Sequence, residues 1–192
     1  MLQTHLQPRH DACCAGDEPV TALLLATTMS SYVYTILRIT GPKLDRDRLQ
    51  AQVTGDSAFD LNKIVPMPLE LQNLRSGLQI INGVRFSSWV ERDGKNVGLT
   101  PEETRSLLKR FGETTRHDWA WRNWGTKLNT QDVEDVGVRD AELEYRFETA
   151  WETPYEALKR LSAIYPRLRF CVETSGDVDH KEMFKLKNGM QS

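Results

Sequence analysis

Glu142-Leu143-Glu144-Tyr145-Arg146-Phe147-Glu148-Thr149, preceded by Asp140-Ala141 and followed by Ala150-Trp151, is the stretch that decides the fold. Leu143, Tyr145, Phe147, Thr149 and Trp151 fall on one side of an extended chain, and Glu142, Glu144, Arg146 and Glu148 on the other. That period of two is the signature of a strand with one face buried and one face wet. Immediately downstream, Thr153-Pro154-Tyr155-Glu156 reads as a capped helix start. Leu158, Leu161, Ile164 and Tyr165 supply its apolar stripe, and Pro166 stops it. Leu168, Phe170 and Val172 then alternate with Arg169, Cys171 and Glu173 in another strand.

Upstream, the same order repeats. Tyr32 to Thr40 alternates Val33, Thr35, Leu37 and Ile39 with Tyr32, Tyr34, Ile36 and Arg38, and Gly41-Pro42 breaks it. A helix is expected from Leu44 to Val53, closed by Thr54-Gly55, and a second strand from Phe59 to Ile64. Pro66 and Pro68 cannot donate to a sheet ladder and end that strand. The order strand, helix, strand, long segment, strand, helix, strand predicts an α+β protein. Two β-α-β units of this kind make a ferredoxin-like sandwich, here with a partly helical insertion at about 66–138 between the two halves. Within the insertion, Thr100, Pro101 and Glu103 mark a helix N-terminus and Gly112 its close. A shorter helix is expected from about Thr115 to Trp124, ending at Gly125.

Three segments carry a resemblance. They are Phe59-Asp60-Leu61-Asn62-Lys63-Ile64-Val65-Pro66-Met67-Pro68, Asn123-Trp124-Gly125-Thr126-Lys127-Leu128-Asn129 and Phe147-Glu148-Thr149-Ala150-Trp151-Glu152-Thr153-Pro154. With them the chain resembles the YubB-type (Api-like) family of phage- and plasmid-borne proteins, which is associated with a ferredoxin-like domain. Leu128 stands where that pattern would have an aromatic, and the tail after Glu173 matches weakly. The resemblance implies a mobile genetic element as the setting, with an accessory or counter-defence role, and it transfers no catalytic residue.

Composition narrows the function classes. Lys+Arg 25 against Asp+Glu 27 gives a net charge of -2, which argues against gripping nucleic acid by charge alone. The longest apolar run, Ala22 to Ala26, is far below the ~20 residues of a membrane helix. Three cysteines, two of them adjacent, do not make a disulfide framework and fit a reducing, cytoplasmic compartment. Residues 1–28 show no sustained period and read as a disordered extension, with a single domain over 29–192. His5, His10, Cys13 and Cys14 lack the two separated pairs of a structural zinc site. Phosphate-loop, dinucleotide and zinc-protease motifs are absent, so no cofactor, metal or catalytic residue is assigned.

The candidate binding residues are Trp119, Arg122, Trp124 and Lys127, which crowd one segment with Arg116 and Trp121. One reading is a stacking and cationic contact surface, and the other is a small aromatic core that anchors the insertion. Helical spacing puts Trp121 and Trp124 on a shared face, as burial would require, with Trp119 pointing elsewhere. The expected activity is non-enzymatic protein–protein binding through this segment. Nucleic-acid binding by the same residues and an enzyme using His117 are the alternatives. Adjacent His117 and Asp118 point apart on a helix and cannot form a relay. The carboxylates of the Glu142–Glu148 face make open-face RNA binding unfavourable, and the insertion is expected to cover that face.

Overall fold

Leu37 and Tyr145 pair across an antiparallel ladder at the centre of the structure, a computed structural model that describes residues 32–139, 141–176 and 181–191. The extension expected over 1–28, with its histidines and paired cysteines, lies outside the described residues.

The first strand, β1 (Tyr32–Thr40), leads through Gly41-Pro42 into α1 (Lys43–Val53). A long segment follows, with α2 (Leu61–Ile64), α3 (Leu69–Gln72), the strands β2 (Arg75–Ile81), β3 (Val84–Arg92) and β4 (Lys95–Gly98), then α4 (Pro101–Phe111) and α5 (Arg116–Trp124). The chain then returns to the main sheet as β5 (Gln131–Arg139) and β6 (Glu142–Ala150), crosses in α6 (Tyr155–Ile164), and ends in β7 (Arg169–Ser175), β8 (Lys181–Lys187) and β9 (Met190–Gln191). The strands order β5-β6-β1-β7-β8-β9, and every neighbouring pair is antiparallel. The four strands β5, β6, β1 and β7 with α1 and α6 make the ferredoxin-like unit, and β8 and β9 widen it at one edge.

Alternation explains the core. Leu37 and Ile39 of β1, Leu143, Tyr145 and Phe147 of β6, and Phe170 and Val172 of β7 point to one side, where Leu49 and Val53 of α1 and Leu158 and Leu161 of α6 cover them. At the start of α1, Leu44 is exposed, and Asp45 is buried beside Arg167 at 2.7 Å. No helix among the described residues is long and apolar enough to cross a membrane.

Two sequence expectations are corrected. Phe59–Ile64 is not a strand: Asp60 accepts from the Asn62 amide at 2.8 Å and caps α2. Leu61, Ile64 and Val65, at i, i+3 and i+4, are all buried, which is helical spacing. The second strand of the ferredoxin-like unit is β5 instead, so the insertion occupies residues 54–130 inside the first β-α-β unit rather than 66–138 between the halves. That insertion holds its own sheet, ordered β2-β3-β4, whose hairpins turn at Asn82-Gly83 and Asp93-Gly94 with positive φ. It packs on the helical side, α2 and α5 against α6, and leaves Tyr34 on the opposite face exposed.

Candidate functional site

The three stretches that carry the sequence resemblance meet at one junction. Asn129 fastens the second stretch to the first: its Nδ2 donates to Asp60 Oδ1 at 2.7 Å, and its Oδ1 accepts from the Leu61 amide at 2.9 Å. The Thr130 hydroxyl donates to the Phe59 carbonyl, and the Trp124 indole donates to the Val65 carbonyl at 2.8 Å. The third stretch is tied by the Thr126 hydroxyl, which donates to the Ala150 carbonyl at 2.8 Å, and by Phe59 stacked on Phe147 with centroids 5.1 Å apart. Gly125 closes α5 at φ 86, where a Cβ would sit 2.9 Å from the Tyr155 amide nitrogen. Only glycine lets the end of α5 lie so close to the start of α6.

This scaffold fixes the tryptophans, and not as the helical spacing suggested. Trp119 and Trp124 are 6% and 4% exposed and meet edge-to-face at 5.7 Å. Both belong to the core, so neither can be a surface contact. Trp121 is 42% exposed. Residue positions on a helix advance by about 100°, and the buried arc of α5 runs from Trp119 through Ala120 to Trp124, which leaves Trp121 just beyond its edge. Arg122 is exposed and paired with Glu113 at 2.7 Å. Lys127 is the sequence-predicted residue that sits where a contact could form. Its ammonium lies 5.5 Å from the Trp121 ring centroid and 4.8 Å from that of Trp151.

Trp151 was expected on the buried face of β6. The strand ends at Ala150, Trp151 takes φ 74, and the reversal leaves its indole 52% exposed. A bulky residue in the left-handed region is strained by roughly 1–3 kcal/mol and persists only where neighbours enforce it. Here the enforcing contact is the Thr149 hydroxyl, which donates to the Glu152 carbonyl at 2.9 Å. Nothing in the sequence marks this turn, since Pro154 restricts Thr153 and not Trp151.

Two hollows share Lys127. One, of about 290 Å³, is lined by Asp56, Asp60, Asn62, Arg116 and Asn129; the other, of about 280 Å³, by Ser76, Leu78, Thr115, His117 and Asp118. Burial, and then the charges of Arg116 and Lys127, hold His117 below the ordinary imidazole value, with Asp118 opposing. Asp118 is engaged in capping: it accepts from the Thr115 hydroxyl at 2.6 Å. Among the described residues no hydrogen bond joins His117 to a hydroxyl, and no cluster of three His, Cys, Asp or Glu could hold a metal.

A family match falls on the same region. Residues 123–174 match the family model described as the ferredoxin-like domain in Api92-like protein. This segment is similar to Api92-like proteins. It runs from Asn123 through β5, β6 and α6 into β7, and so contains Lys127 and Trp151. The crystal structure of a protein Api92 from Yersinia pseudotuberculosis is similar over 83% of this chain and 95% of that one, with a TM-score of 0.50 and 14% identity. At that identity the likeness is one of fold. No curated protein matches the chain.

Proposed function

We propose that the protein works by binding a protein partner through the surface formed by Trp121, Lys127 and Trp151, bordered by Leu78 of β2. The observation that carries this reading is the pair of exposed indoles around one ammonium, with Trp151 held outward by a strained turn. Exposed Trp beside a cation, on a rigid base, is the composition of a protein–protein hot spot. Its side chains are already ordered by one another, which lowers the entropy lost on docking. Leu78, 73% exposed and across the second hollow from Lys127, extends the apolar part of the surface.

The alternative, nucleic acid on this same segment, is less well supported. Arg122 is neutralised by Glu113, and Asp56 and Asp60 line the groove beside Lys127, where a phosphate would be repelled. The setting implied by the sequence resemblance, a phage or plasmid product with an accessory or counter-defence role in the cytoplasm, is consistent with a protein that acts by binding. Affinity capture from host cytoplasm tests the reading. The double variant Trp121→Ala/Trp151→Ala should lose the captured partner while its circular dichroism matches the parent. Equal recovery by both forms would reject it.

A further inference from the structure

The tail after Glu173 alters the charge of the open sheet face. In β8, Leu186 is buried and Phe184 packs on Tyr155 at 5.6 Å, so Lys181, Met183, Lys185 and Lys187 point the other way. Lys185 lies opposite Cys171 of β7, whose neighbour on the same face is Arg169. Among the described residues none of Arg169, Lys181, Lys185 and Lys187 has an ion-pair partner. The carboxylates nearest them are drawn towards β1 and partly offset: Glu142, Glu144 and Glu173 all gather on Arg38, and Glu144 also meets Arg146 at 2.7 Å. Glu144 stays ionised to unusually low pH. Burial opposes that, but the hydrogen bonds from Arg38 and Arg146 outweigh it.

Two hollows line this row of cations. One of about 520 Å³ is bordered by Arg38, Glu142, Arg169, Cys171, Lys185 and Lys187, and one of about 500 Å³ by Tyr34, Ile36, Glu173, Lys181, Glu182 and Met183. The four cations span about 20 Å along β8 at ~3.3 Å per residue. Beside them Tyr34 offers an exposed ring, with Ile36 and Met183 as apolar neighbours. Glu148 stands opposite Tyr34 on β6 and confines a polyanion to the β7–β8 side.

We propose that the β1–β7–β8 face binds single-stranded nucleic acid, its phosphates along Arg169, Lys187, Lys185 and Lys181 and a base on Tyr34. This surface is separate from the Trp121–Lys127–Trp151 surface and does not depend on it. A flexible single strand can lay its backbone on the cations and turn bases onto an aromatic ring, which a duplex with stacked bases cannot do. An acidic peptide would meet the cations but leave Tyr34 unused.

The test is fluorescence anisotropy of the full chain with a labelled oligo-dT and oligo-U. Four phosphate contacts predict a log–log salt slope near about -3, from ~0.7 per contact. Lys185→Gln/Lys187→Gln should weaken binding at least tenfold and flatten the slope by about 1.4. Tyr34→Ala should weaken it about tenfold with the slope kept, and Trp121→Ala/Trp151→Ala should leave it unchanged. Arg169→Gln/Lys187→Gln provides the same readout should the first pair fail to fold. No complex at about 50 mM salt, equal affinity for the cation variants, or tighter binding of duplex DNA or oligo-glutamate would overturn the proposal.

Discussion

Removing the Asn129 side chain tests the idea that one amide holds the insertion onto the ferredoxin-like unit. Asn129 makes three hydrogen bonds: to Asp60 Oδ1 at 2.7 Å, from the Leu61 amide at 2.9 Å and from the Thr130 amide at 2.9 Å. Two are neutral, worth about 1 kcal/mol each, and the one to the Asp60 carboxylate about 1.5–3 kcal/mol. Asp60 is buried, so losing its donor also exposes a desolvated charge. Asn129→Ala should therefore cost about 3.5–5 kcal/mol, lowering the melting temperature by roughly 7–20 °C for a chain of this size. Asn129→Asp adds a sharper signature. It places a second carboxylate against Asp60, and two carboxylates sharing a site cannot both ionise easily. That variant should be weakest at pH 7 and recover on acidification towards about pH 5. Thermal denaturation by circular dichroism at the two pH values decides it. An Asn129→Ala shift under about 2 °C, or no pH dependence in Asn129→Asp, would refute the fastening role.

Two further outcomes follow from the same region. Gly125→Ala should destabilise by about 2 kcal/mol or more, because φ 86 is strained for any side chain and the added methyl meets the Tyr155 amide; chemical denaturation measures it, and a neutral result would contradict the close approach of α5 and α6. His117 titrates low, so its neutral form is favoured by folding; the stability this contributes is complete above about pH 6.5 and is lost as pH falls through the depressed value. His117→Asn should remove that part of the acid sensitivity, and an imidazole NMR midpoint at or above the ordinary value would disprove it.

Strands with one buried face were legible in the sequence, and those without were not. β1, β6 and β7 alternate cleanly because α1 and α6 cover one side only, and the cap read at Thr100 is present, whereas the start read at Thr153-Pro154 gives α6 no side-chain cap. In β5, register shifts between Gln131 and Glu134 and between Asp135 and Gly137 break the period of two, so Val133, Val136 and Val138 do not line up in sequence. β2 and β3 expose much of both faces and lack a period, although Asn82-Gly83 and Asp93-Gly94 between them and β4 are strong hairpin signals. Asn188-Gly189 announces the β8–β9 turn in the same way. At the candidate site, the residue types were legible and the exposure was not. Which indole of α5 faces out depends on the helix being packed from two sides, and the outward turn of Trp151 depends on a backbone conformation no pattern encodes.

Site-specific photo-cross-linking measures the central claim at the surface itself. A photoreactive residue placed at Trp121 and, separately, at Trp151 should capture one and the same host protein, and the same residue at exposed Leu108 on α4 should not. Adducts equally abundant from Leu108, or different proteins from the two tryptophan positions, would contradict it.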